Sequence, residues 1–118
     1  MNYLKFPVIL AIIDSVWIMR ESHKIQIEAI QKSPLQVDMT AGILFYILAG
    51  IAYYRFVQPF SITKKDAFKI GATLGFLMYG TFDLTNKAIF SNYEWGYAIA
   101  DMLWGSFAMG LASYLSFE

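Results

Sequence analysis

The run Thr40-Ala41-Gly42-Ile43-Leu44-Phe45-Tyr46-Ile47-Leu48-Ala49-Gly50-Ile51-Ala52-Tyr53-Tyr54 carries no charged residue. A helix that meets water on one side needs a polar stripe down that side. This segment has none, so as a helix it must be buried all round, in protein or in lipid. From Trp95 to Phe117 the same holds, with Asp101 the single charged residue. Two more apolar stretches, Leu4 to Met19 and Ala67 to Phe90, bring the number to four. Each is close to the roughly 20 residues with which a helix crosses a bilayer. A chain of 118 residues is too short to hide four such helices inside a water-soluble core.

Composition agrees. The chain is 58% hydrophobic and 18% aromatic, and its 15% charged residues fall well below the roughly 25% of soluble domains. Nine Lys and Arg balance nine Asp and Glu, which leaves no basic excess to hold a nucleic-acid backbone. With no Cys and one His, a disulfide framework, a zinc knuckle, an iron–sulfur site and a Cys nucleophile are excluded. Neither a metal nor a cofactor is expected. The reading is an all-α, integral membrane four-transmembrane-helix bundle, a single membrane domain over 1–118 with helices at roughly 4–19, 39–56, 64–90 and 94–117.

Punctuation supports these boundaries. Ser33-Pro34, Gln58-Pro59 and Phe90-Ser91-Asn92 interrupt the apolar runs. Thr63-x-x-Asp66 and Ser91-x-x-Glu94 each have the form of a capping box and predict starts for the third and fourth spans. The segment Arg20 to Asp38 is polar but holds Ile25, Ile27, Ile30 and Leu35, so it either extends the first helix or lies along the headgroups. His23 falls in it and is read as a solvated or interfacial residue with no site role. One Lys, a short apolar run and no small-residue cleavage pattern describe the N-terminus, and an uncleaved first helix is expected there. Lys5, Arg55, Lys64, Lys65 and Lys69 lie toward the terminal side, against Arg20, Lys24, Lys32 and Lys87 opposite, a bias toward cytoplasmic termini. Tyr53, Tyr54, Phe56, Tyr93, Trp95, Tyr97 and Tyr114 fall where spans meet loops and are read as an interfacial belt.

The informative residues are acids where hydropathy disfavours them. Asp14, Asp83 and Asp101 lie within the first, third and fourth spans, at a cost of about 2.5–3.5 kcal/mol each at a helix centre, so they must face inward. Asp14-x-x-Trp17 and Asp101-x-x-Trp104 each put a carboxylate and an indole on one helical face. On the third span Tyr79, Asp83 and Asn86 share a face, with Lys87 one turn from Asp83. Gly71-x-x-x-Gly75 precedes them, and Asp101, Gly105, Ala108 and Ala112 align on the fourth span, so close packing of these two helices is expected. Two readings of the polar set stand side by side. In one, Asp14, Trp17, Tyr79, Asp83, Asn86, Asp101 and Trp104 form an interhelical hydrogen-bond core that sets register. In the other they take up a proton, a cation or a polar headgroup.

With Asp14-x-x-Trp17, the run Tyr79-Gly80-Thr81-Phe82-Asp83-Leu84-Thr85-Asn86-Lys87-Ala88, then Trp95 and Asp101-x-x-Trp104-Gly105, the chain resembles a four-helix membrane-protein family of bacteria and some large DNA viruses, domain of unknown function 2177. The resemblance spans nearly the whole chain and implies a membrane bundle with these polar residues in common positions. It implies no substrate.

Three expectations about function follow. One is a small integral membrane protein that moves a proton or small solute through the polar cluster. Another is an accessory subunit of a larger membrane assembly or a viral inner membrane. Membrane lipids are expected neighbours, and a homo-oligomer is the alternative to a larger complex. The chain has no nucleophile elbow, histidine box or phosphate loop, so no enzymatic activity is expected.

Overall fold

The computed structural model describes residues 2–118, all of whose regular structure is helical. Helices α1 (Lys5–Ile18), α2 (Glu21–Gln31), α3 (Met39–Phe56), α4 (Lys64–Ile89) and α5 (Trp95–Ser116) follow in order, with a 3-10 turn at Gln58–Phe60 between α3 and α4. The four apolar stretches correspond to α1, α3, α4 and α5. Two helices, Met39–Phe60 (taken with the turn) and Trp95–Ser116, are long and apolar enough to cross a membrane by length and composition. The expectation of four spans is not met by that measure. α1 has 14 residues, or about 21 Å at 1.5 Å per residue, and the charges of α4 dilute its hydropathy.

Caps explain most boundaries. Asp38 accepts from the backbone N–H of Ala41 and starts α3. Thr63 and Asp66 form a reciprocal capping box at α4. The box expected at Ser91 and Glu94 is not formed, because α5 starts at Trp95 with Glu94 at its N-cap and no side-chain cap of its own. Tyr93, drawn inward, keeps Ser91 out of the helix, and Gln26 of α2 accepts from the Glu94 N–H at 3.4 Å in its place. The segment Arg20–Asp38 is not a continuation of α1, which ends at Ile18. α2 is a separate helix, closed at Lys32 in the left-handed region (φ 57°) and followed by Ser33-Pro34.

α4 and α5 pack most intimately, because small residues let their backbones meet. A Cβ on Gly75 would strike the Gly105 carbonyl and Met109, and one on Gly105 would enter the Tyr79 ring. Ser106 Oγ donates to the Ala72 carbonyl at 2.8 Å across the same seam. α1 lies against α5 and α3. At one end of the molecule Phe6 stacks on Tyr53 at 4.5 Å, and Leu10, Ala49, Val57, Ala108, Met109 and Ala112 complete a buried core. The chain ends are tied there, with Tyr54 Oη donating to the Asn2 carbonyl, Gln58 Nε2 donating to the Glu118 carbonyl and Lys5 paired with Glu118 at 3.7 Å. At the opposite end α2 clasps the turn before α5. Gln26 Nε2 donates to the Asn92 carbonyl at 2.8 Å, and Asn92 Nδ2 donates to the Ala29 carbonyl at 3.2 Å.

The outside is apolar on every long helix. Val8, Ile12 and Val16 of α1 are more than half exposed, as are Ile43, Leu44, Leu48 and Ile51 of α3, Leu77 and Phe82 of α4, and Ile99 and Leu103 of α5.

Two aromatics expected in an interfacial belt are interior. Tyr53 and Tyr93 are fully buried, because each finds both a ring to pack on and an acceptor for its hydroxyl.

Candidate functional site

The two Asp-x-x-Trp motifs meet face to face, and each carboxylate takes its indole from the other helix. Trp104 Nε1 donates to Asp14 Oδ1 at 2.8 Å, and Trp17 Nε1 donates to Asp101 Oδ1 at 2.7 Å. The pairs 14–104 and 17–101 run in opposite directions along the chain, so α1 and α5 are antiparallel and the motif forms an approximately two-fold bracket. Between the two bonds the indoles stack, 5.4 Å apart and 11° from parallel. Each bond has an ionisable acceptor and is of the class worth about 1.5–3 kcal/mol.

Asp14 is well satisfied. Its second oxygen accepts from Tyr46 Oη at 3.0 Å and Tyr79 Oη at 3.4 Å, so α1, α3, α4 and α5 all converge on one carboxyl. Asp83 is placed differently. It is fully buried, and Tyr93 Oη donates to its Oδ1, while its Oδ2 has no donor. That side chain faces the carboxyl of Asp101 within hydrogen-bonding reach. Two ionised carboxylates can only accept, so this contact becomes a bond when one of them carries a proton. An acid–carboxylate pair is therefore the arrangement that satisfies Asp83.

A cleft of about 410 Å³ reaches this set from the side of α2, α3 and α4. Asp14, Asp101, Trp17, Tyr46, Tyr79 and Tyr97 line its inner part. His23 closes one side, half-buried, its Nδ1 at 2.5 Å from Tyr97 Oη. Burial pushes the His23 imidazole below its usual pKa, against the pull of the Asp101 and Asp14 carboxylates.

Of the residues singled out from sequence, Asp14, Trp17, Tyr79, Asp101 and Trp104 meet in one cluster, which Asp83 joins through Asp101. Asn86 is half-buried one turn further along α4, beside the Tyr93 hydroxyl. Lys87 turns away to the Trp95 ring at 5.9 Å. Sequence reasoning missed Tyr46, Tyr93, Tyr97 and His23. Tyr46 had a signal, a polar tip in the middle of a charge-free helix. His23 had a weaker one, its place beside the apolar residues Ile25 and Ile27.

Helices with apolar exteriors around an interior of carboxylates, indoles and phenols define a helical membrane protein. The chain belongs to the family described as "Predicted membrane protein (DUF2177)", which matches residues 1–118 and whose function is unknown. No curated protein and no solved structure matches the chain significantly.

Proposed function

We propose that the chain is a four-crossing integral membrane protein with cytoplasmic termini whose Asp14, Asp83 and Asp101 take up and release a proton in moving a proton or a small solute. The observation that carries this reading is the orphaned Oδ2 of Asp83, which is fully buried beside Asp101, itself a residue that lines a cleft. A proton taken up by the Asp101 carboxylate makes an acid that donates to Asp83. The same oxygen then gives the proton up again.

Four crossings are supported by apolar faces on α1, α3, α4 and α5 and by successive connections at alternating ends. The longest dimension, 45 Å, is near the 40–45 Å of a bilayer with its headgroups. Local thinning of the bilayer and snorkelling of flanking residues let a helix of about 21 Å serve as the shortest crossing. The chemistry of this reading is binding and transfer.

The test is reconstitution into liposomes under a pH gradient. Proton or solute flux is expected from the parent, with a loss of about tenfold or more in Asp83→Asn and Asp101→Asn, each of which removes a proton-accepting oxygen. Equal flux in parent and variants would end the transport reading. Migration with heterologous membrane proteins after mild detergent extraction would favour the accessory-subunit alternative.

A further inference from the structure

The mouth of the cleft differs from its floor. Outward of the acids it is bounded by Gly42 and Phe45 of α3 and by Met78 and Phe82 of α4. α3 is packed on α1 rather than on α4 and meets α4 through the edge-to-face pair Phe45–Tyr79 at 6.4 Å. Two long helices are therefore splayed on the apolar side of the molecule, with Phe82 57% exposed at the opening. An occupant arriving this way comes from the apolar phase and leaves its apolar part between aromatic and thioether side chains.

The floor asks for the opposite. Asp14 and Asp101 present carboxyls to the cleft, and among the described residues lining it none is Lys or Arg. Arg20 lies over the Trp17 ring and lines a different groove. Trp17, Tyr46, Tyr79 and Tyr97 supply ring faces and edges around the acids, which favours a weakly hydrated cation. Behind this floor, outside the lining itself, Asp83 Oδ2 is fully buried without a donor, and the Asp83 carboxyl lies beside that of Asp101. Two indoles and three phenols donate to four of the six carboxyl oxygens, and the second oxygens of the facing Asp83 and Asp101 are left without a donor. The site is short of one positive charge or one proton.

We propose that the cleft between α3 and α4 binds a hydrophobic organic cation, an onium centre bearing alkyl or aryl groups, with its charge against Asp14 and Asp101 and its apolar body between Phe45, Met78 and Phe82. This deepens the transport reading by naming the solute class, and it rests on the same carboxylates. A cation seated there supplies the missing charge, so solute and proton occupy the cluster in turn.

The experiment compares two ions of equal size and shape and opposite charge, tetraphenylphosphonium and tetraphenylborate. Their binding to the purified full chain in uncharged maltoside micelles is measured by calorimetry against protein-free micelles. The phosphonium ion is expected to bind about tenfold or more tightly than the borate. Asp14→Asn and Asp101→Asn, which keep the oxygen facing the indole, should each weaken it by about tenfold or more. Gly42→Leu should do likewise by filling the mouth. A Cβ at Gly42 meets no atom within 4 Å, so the backbone there has room for the start of a side chain. Equal binding of the two ions, or phosphonium binding unchanged in both Asp variants, overturns the proposal. Acid-dependent phosphonium binding without flux in liposomes sustains this site while the transport reading fails. Proton flux with equal binding of both ions does the reverse.

Discussion

Trp17 and Trp104 act as donors to acids on each other's helix, which makes the bracket a link between α1 and α5 rather than a local feature of either. Trp17→Phe and Trp104→Phe keep a ring in the stack and leave Asp101 Oδ1 or Asp14 Oδ1 short of a donor. Each should lower stability by about 1–2 kcal/mol, within the range of buried bonds in membrane proteins and of bonds to ionised acceptors. Denaturation by sodium dodecyl sulfate from mixed micelles reads this as a shift in midpoint. Unchanged midpoints in both variants would mean that the indoles only fill space. Asp14 differs from its partners, since three donors from three helices meet its two oxygens. Its replacement should loosen α3 as well as α5.

At the scale of the element, α2 is the part whose attachment responds to acid. It is held by Gln26, Asn92 and the His23–Tyr97 contact. Burial lowers the pKa of His23 when α2 is docked, so the detached segment binds a proton more readily than the docked one. Docking is therefore at full strength above about pH 6.5, the ordinary histidine value. It weakens as the pH falls from there toward the lower docked pKa, and levels off below that. The chain has no Cys, so spin labels on Lys24→Cys and Ile99→Cys report on this contact alone. The distance distribution between them should be narrow at pH 8 and broaden at pH 5, and His23→Phe should remove the pH dependence. A distribution that broadens equally in the His23→Phe variant would assign the effect to other groups.

For the whole molecule, the termini and the Gln58–Phe60 turn gather at one end, and α2 with the turn at Asn92 gathers at the other. If the apolar girdle between them sits in a bilayer, Tyr3→Cys and Phe117→Cys should react with a membrane-impermeant maleimide from one side only, and Ser33→Cys and Ser91→Cys from the other. Labelling of all four from the same side would defeat the four-crossing arrangement. The two ends are also held differently. The terminal end has an apolar core around Phe6 and Tyr53, whereas the α2 end depends on side-chain amides and the acidic cluster. Opening is thus easier at the α2 end, next to the cleft.

What could be read from the residues alone is what depends on neighbours along the chain. The charge-free run Thr40–Tyr54, the capping box at Thr63 and Asp66, and the small residues of α4 and α5 specify helices, their starts and a close seam, because period, capping and Cβ size are local properties. The same reasoning placed Asp14 and Trp17 on one face but had no means of telling whether a carboxylate takes the indole on its own helix or on a facing one. Nor could it tell that Tyr53 and Tyr93 turn inward, that Tyr93 moves the start of α5 to Trp95, or that α2 folds back to put His23 beside the acids. Those outcomes depend on which helices lie antiparallel and how far apart α3 and α4 stand. In an apolar setting a buried polar group takes whichever partner the packing brings within reach, and only the assembled bundle decides which that is.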